Sequence, residues 1–209
     1  MEIIVKDYTK TIRNHTILDH VNAQFTGGKV YGIRGKNGSG KTMLLRAITG
    51  LVRPTSGYVE IDGQKIGEDI TFPPSVGALI ENPGFIPSYS GRKNLQVLAD
   101  IKKSADDEAI DAVLKRVGLD DVADKKYRTY SLGMKQKLGI AAALFEDPEL
   151  IILDEPTNAL DESSVYKLRE ILRTYKQENR IIILTCHDRE ELELLSDEIV
   201  VMENGVRKS

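Results

Sequence analysis

Gly35-Lys36-Asn37-Gly38-Ser39-Gly40-Lys41-Thr42 fits the pattern G-x-x-x-x-G-K-S/T, the spacing of a loop that wraps phosphate. Glycines in such a run let the backbone curl until successive N–H groups converge on one anion. A helix starting directly after the loop aims its positive end at the same place. Lys41 then reaches the β- and γ-phosphates of a nucleoside triphosphate, and the Thr42 hydroxyl suits Mg²⁺. Gly35, Asn37, Gly38, Ser39, Gly40, Lys41 and Thr42 are the candidate phosphate contacts.

A second constellation is Leu150-Ile151-Ile152-Leu153-Asp154-Glu155, an apolar run ending in two acids. In an open α/β sheet, ligands collect at the carboxyl ends of the strands. There Asp154 can hold the metal shell, and Glu155 can face the water that attacks the γ-phosphate. Phosphoryl transfer chiefly requires positioning and charge neutralisation, and Glu155 is suited to orient that water and accept its proton. By itself the pair could be a strand end turning into solvent. Following a phosphate loop and preceding Pro156-Thr157, it reads as catalytic.

Positioning these groups requires strands that stop at the site and helices that start there. Glu2 to Tyr8, Val21 to Phe25, Lys29 to Arg34, Tyr58 to Asp62, Val76 to Ile80, Leu150 to Leu153, Ile181 to Thr185 and Glu198 to Met202 read as strands. From Lys41, the recurrence of Leu44, Leu45, Ile48 and Leu51 predicts a helix that ends before Pro54. Asn82 to Gly91 is loop-like, and helical patterns follow over Lys93 to Ile101, Asp106 to Val117 and about Ser131 to Phe145. A further helix, Ser163 to Glu178, presents Val165, Leu168, Leu172 and Tyr175 on one face. Buried apolar strands alternating with helices imply a largely parallel sheet covered on both sides. The expected organisation is one α/β domain over 1–209, with a core at 1–83 and 148–209 and a helical subdomain at 84–147.

A chain of 209 residues with 41% hydrophobic content is long enough for one sizeable core. Its net charge of −3 gives no global basic footprint for nucleic acid. The single cysteine, Cys186, has no partner for an internal bridge and falls beside a buried strand, so a reduced thiol is expected. No secretory signal is visible at the start, and no apolar run approaches the ~20 residues of a membrane-spanning helix. Any membrane work falls to another chain.

The phosphate loop, the strand ending Asp154-Glu155 and three further stretches resemble the ATP-binding cassette superfamily, over essentially the whole chain and in the family's order. Ser131-Leu132-Gly133-Met134-Lys135-Gln136, at the start of a helix, looks like the family signature. The commoner form is LSGGQ, and the SLGMKQ form resembles that of cassettes paired with bacterial exporter permeases. Asn158-Ala159-Leu160-Asp161 is similar to the family's dimer-facing loop, and His187 resembles its switch histidine, which contacts the γ-phosphate. The resemblance implies a P-loop NTPase core, an inserted α-helical subdomain and an N-terminal antiparallel β portion. It also implies an ATPase using ATP and Mg²⁺, with Glu155, His187 and Lys41 catalytic, and it adds Ser131, Gly133, Gln136 and Asp161 to the nucleotide-binding residues.

The signature makes physical sense on its own residues. Ser131 is a good helix cap, Gly133 permits close backbone approach, and a helix N-terminus is a second anion site. One chain has one phosphate loop and a separate second phosphate-binding end. Closing both around one nucleotide requires a second copy, head to tail, and the resemblance implies that this homodimer is two-fold symmetric with two ATP molecules buried in its interface. Taken singly, Ser131 and Asp161 could merely cap helices, and His187 could be an ordinary strand-end histidine; His15 and His20 read as surface residues.

Two departures from the family pattern carry consequences. Glu81 stands where cassettes usually have glutamine. A glutamate there resembles the subgroup paired with permeases for peptide antibiotics, such as bacitracin and lantibiotic self-protection systems, and as a carboxylate it can still ligate Mg²⁺ beside Thr42 and Asp154. Ile12 falls where an aromatic would stack on adenine, while Tyr8 lies on a strand facing the core. Stacking is worth roughly 0.5–1.5 kcal/mol and an aliphatic contact supplies less. Competition binding is therefore expected to show less than about tenfold preference for ATP over GTP, a ratio that corresponds to about 1.4 kcal/mol. A larger preference would overturn this reading of Ile12.

The function implied is the ATPase subunit of a bacterial exporter, cytoplasmic and peripheral on the inner face of the membrane through a separate transmembrane permease, without nucleic acid. A groove around Glu81 to Tyr89 is expected to receive a coupling helix of that permease. An ATP-switched clamp unconnected with transport is the rival, but such proteins resemble fused cassettes or cassettes split by a coiled coil. A small kinase or GTPase would not need Ser131 to Gln136, and no Asn-Lys-x-Asp guanine-reading motif is present.

Overall fold

The structure, a computed structural model, describes residues 1–81, 83–102 and 105–208. Asn82, where the predicted loop begins, lies outside the described residues. The chain runs β1 (Glu2–Ile12), β2 (His15–Thr26), β3 (Lys29–Arg34), α1 (Lys41–Ile48), β4 (Ser56–Ile61), β5 (Gln64–Lys65), β6 (Val76–Leu79), α2 (Gly91–Lys102), α3 (Asp107–Val117) and α4 (Leu132–Leu144). It continues with β7 (Leu150–Leu153), α5 (Glu162–Tyr175), β8 (Ile181–Cys186), α6 (Arg189–Leu195), β9 (Glu198–Glu203) and β10 (Val206–Lys208).

Two sheets result. A four-stranded antiparallel sheet has the order β2-β1-β4-β5, and a six-stranded sheet has the order β10-β9-β3-β8-β7-β6. Every neighbouring pair in the second is parallel except β9 with β10. Successive strand residues point to opposite faces, which divides the core in two. Leu150, Ile152, Ile181 and Ile183 meet Phe25 of β2 and Leu44 and Leu45 of α1, on the side of the antiparallel sheet. Ile151, Leu153, Ile182 and Leu184 meet Leu114, Leu138 and Leu172 on the helical side. Full burial of each such side chain is worth about 1.5–3 kcal/mol, so β7, apolar at every position, and β8, apolar except at Thr185, are held from both faces.

Differences from the expected elements have local causes. β1 and β2 extend to Ile12 and back from His15, because Arg13 and Asn14 adopt φ of 46° and 67° and close a hairpin. Hairpin pairing carries both strands beyond the stretch where apolar alternation is visible. Helix α1 stops at Ile48: the Thr49 hydroxyl donates to the Leu45 carbonyl at 2.9 Å, and Gly50 turns the chain with φ 78°. Leu51 is consequently 58% exposed instead of continuing the buried face. Helix α5 ends at Tyr175, short of the expected Glu178. Helix α6 and strands β5 and β10 were not anticipated, since all three are too short and too polar to show a period. Cys186 is buried, as expected, and burial pushes its thiol up to about 11. Among the described residues no helix is long and apolar enough to cross a membrane.

Candidate functional site

Strand β3 ends at Arg34, and the loop that follows returns to begin α1 at Lys41. Gly40, the residue before the helix, has φ 100°, in the left-handed region that glycine tolerates, and puts no side chain over the helix N-terminus. The loop is tied down by the Gly205 N–H, which donates to the Ser39 carbonyl at 3.0 Å. The Lys41 side chain is only 6% exposed and folds back, its Nζ donating to the Gly35 carbonyl at 2.8 Å.

Sheet order puts β8 between β3 and β7, so the carboxylates meet the loop across the end of β8. The Thr42 hydroxyl donates to Asp154 Oδ2 at 2.8 Å. Glu155 adopts φ 50° and turns its side chain toward the loop, where Oε1 lies 3.6 Å from Lys41 Nζ and 3.1 Å from His187 Nε2. Burial raises the Glu155 carboxyl above its ordinary value, and the nearby His187 and Lys41 oppose that rise. Its second oxygen, Oε2, and the buried Ser39 hydroxyl make no hydrogen bond with the described residues.

Two clefts open beside this cluster. One, of about 380 Å³, is lined by residues 36–43 with Ile17, Arg46, Glu81, Glu155 and His187. The other, about 720 Å³, runs along the outer side of the loop past Arg34, Asn37, His187, Glu203 and Asn204. Glu81, with φ 58°, reaches the first cleft and pairs with Arg46 at 2.9 Å. Ile12 is exposed at the tip of the hairpin and lines neither cleft; Ile17, on the returning strand, forms the apolar wall.

Lys41, Thr42, Glu81, Asp154, Glu155 and His187 thus come together, whereas Ser131, Gly133 and Asp161 are absent from both cleft linings. Ser131 caps α4, accepting from the Met134 N–H at 3.2 Å. A Cβ on Gly133 would come within 2.8 Å of the Ala159 carbonyl oxygen, so this glycine lets α4 sit against the loop carrying Asn158 to Asp161. Asp161 caps α5 through the Ser164 N–H at 2.9 Å, and the Ser164 hydrogen bonds lower its carboxyl. Gln136 donates to the Glu155 carbonyl at 2.9 Å, and so touches the backbone that carries Glu155 within the same chain. Arg46, Ile17 and Thr185 were not singled out from sequence. Of these only Thr185 left a signal: a hydroxyl closing an otherwise apolar run, two residues before His187.

Thr42, Asp154 and Glu81 supply hard oxygen donors beside the phosphate loop, a set that fits Mg²⁺, which takes few protein ligands and completes its shell with phosphate and water.

A phosphate loop between strand and helix, with a carboxylate pair at the end of a nearby parallel strand, defines a P-loop nucleoside triphosphatase. Its family follows from comparison: the pattern described as "ABC transporter" matches residues 18–158, and the chain belongs to that family, as an ATP-binding cassette subunit. It is 45% identical over 203 residues to the uncharacterized ABC transporter ATP-binding protein YybJ of Bacillus subtilis, covering 97% of this chain and 93% of that one. It is 38% identical over 209 residues to the bacitracin transport ATP-binding protein BcrA of Enterococcus faecalis, covering 98% of this chain and 68% of that one. In fold it matches a dimeric structure of a post-hydrolysis state of the ATP-binding cassette MJ0796 bound to ADP and Pi, with a TM-score of 0.90 at 24% identity, covering 99% of this chain and 97% of that one. The relatives are transport ATP-binding proteins, and the rival clamp reading gains no support.

Proposed function

We propose that this subunit hydrolyses ATP in a head-to-tail homodimer and thereby drives a separate membrane permease. The observation that carries the reading is the contact of Glu155 with both Lys41 and His187 at the mouth of the cleft. Lys41 releases the Gly35 carbonyl and takes the β- and γ-phosphates. Glu155 orients the attacking water and receives its proton at the carboxylate, while His187 holds Glu155 from the far side and contacts the γ-phosphate. Thr42, Asp154 and Glu81 hold Mg²⁺, which neutralises charge on the phosphate oxygens when bound. The signature helix serves the other copy: Ser131 and Gly133 lie outside their own cleft, and the matched cassette structure is dimeric. In size-exclusion chromatography, Glu155→Gln with ATP is expected to elute as a dimer and without nucleotide as a monomer. A monomer under both conditions overturns the dimer reading.

The permease is proposed to dock in a groove of about 350 Å³ between β6 and α4, lined by Leu79, Pro83, Phe85, Leu98 and Ala143. Its walls are mainly apolar, and residues 83–85, from the segment 81–89 expected from sequence, form one part of its lining. Residues 84–147 are proposed to form the helical unit that carries its far wall, within one domain spanning 1–209. Such docking makes the subunit cytoplasmic and peripheral on the inner membrane face. Export of a peptide antibiotic is the cargo class supported by the SLGMKQ signature, Glu81 and the likeness to a bacitracin transport protein.

Glu81 connects the two regions, since it faces the nucleotide cleft while residue 83 already lines the groove. Its carboxylate is proposed to link metal occupancy to the permease-contacting loop. Glu81→Gln removes the charge from the Arg46 pair and the metal site, and is expected to raise the Mg²⁺ concentration needed for half-maximal ATPase by about threefold to tenfold, the equivalent of one charge-assisted contact weakened in part. Unchanged Mg²⁺ dependence, ATPase rate and transport would remove Glu81 from this role.

A further inference from the structure

We infer that Thr185 is a positioning residue for hydrolysis, its hydroxyl fixing both carboxylates of the site at once. Thr185 is completely buried at the end of β8. Its Oγ1 donates to Asp154 Oδ1 at 2.6 Å and accepts the Glu155 N–H at 2.8 Å. A threonine hydroxyl has one proton to give and lone pairs to receive, so both bonds form together.

Each bond has a distinct consequence. With Thr42 on Oδ2 and Thr185 on Oδ1, Asp154 is gripped at both oxygens and its carboxylate plane is set. The second bond satisfies the N–H of a non-glycine residue held at φ 50°, a conformation that persists only where its surroundings enforce it. That backbone turn aims the Glu155 side chain at Lys41 and His187. Strand β8 ends at Cys186, directly before His187, so the strand that delivers the histidine also orients both acids. Valine has almost the shape of threonine, yet cannot make either bond. In Thr185→Val the Glu155 N–H is left buried without a partner, and relieving it rotates the peptide that aims the carboxylate.

The inference rests on the proposed hydrolytic role of Glu155, and the wild-type protein tests that role first: absence of ATPase activity there overturns the function, independently of Thr185. For Thr185→Val, kcat at saturating ATP is expected to fall at least about tenfold, the scale of one buried donor left unsatisfied. ATP affinity measured by calorimetry in EDTA is expected to stay within about twofold, because the phosphate loop makes no contact through this hydroxyl. Exchange of the Glu155 amide hydrogen is expected to accelerate. Thr185→Ser, which keeps the hydroxyl and drops the methyl, is expected to restore kcat and slow exchange. Should the valine variant not fold, Thr185→Ala deletes the same hydroxyl without added bulk and is read identically. Wild-type kcat without the hydroxyl, a parallel loss of metal-free ATP affinity, or a serine variant as impaired as valine would each overturn the assignment.

Discussion

Glu155→Gln is expected to lower the rate of ATP hydrolysis by about a hundredfold to ten-thousandfold, the range supplied by one positioned general base. The amide keeps the size of the carboxylate and can still take a hydrogen bond from His187, so the fold and the cleft survive. It cannot accept the proton of the attacking water. ATP therefore stays bound and uncleaved, which a filter-binding assay beside a phosphate-release assay will separate. The pH dependence of kcat carries a second mark of the same group. Burial holds the Glu155 carboxyl above its ordinary value despite His187 and Lys41. Only the ionised form serves as base, so activity is lost as pH falls through that raised value. The acid limb of the wild-type profile is then displaced upward from the ordinary carboxylate range. A limb at or below that range, or hydrolysis within threefold of wild type in the glutamine variant, would sink the assignment of Glu155.

Lys41→Ala is the second large effect. Lys41 is buried, donates to Gly35 at 2.8 Å and stands 3.6 Å from Glu155. A charge-assisted contact is worth about 1.5–3 kcal/mol, so loss of its phosphate contacts is expected to weaken ATP binding at least about tenfold to hundredfold. Binding to AMP, which lacks the phosphates that Lys41 reaches, should barely change. The comparison isolates the β- and γ-phosphate contact from any general damage. Removing this cation also deletes one of the two neighbours that oppose burial at Glu155, and its carboxyl rises further. Equal losses for ATP and AMP would mean that the lysine supports the loop and not the triphosphate.

How legible each group was in the sequence depended on how local its cause is. The phosphate loop was readable because a curl of converging N–H groups needs glycines at fixed offsets, and those offsets are written along the chain. The Asp154-Glu155 pair was readable because an apolar run ending in acids marks a strand end. Arg46 gave no warning: on α1 it is one more charged helix residue, and only the approach of Glu81 from the segment after β6 gives it a partner. Ile17 was invisible for a similar reason, since its place on the cleft wall follows from where the β1–β2 hairpin turns. The longer hairpin and the short α6 and β10 escaped because pairing partners, not periodicity, define them.

By itself, then, the sequence determined the order of the longer strands and helices, the phosphate loop, the acid pair and the family, all properties carried by spacing within a few residues of chain. Only the tertiary structure decided which side chains touch. Strand β8 lies between β3 and β7, and that placement brings residues 41, 155, 185 and 187 to one point. The reason is that strand order in a parallel sheet is chosen by the packing of helices and apolar faces over the whole molecule, and no short run of residues encodes it.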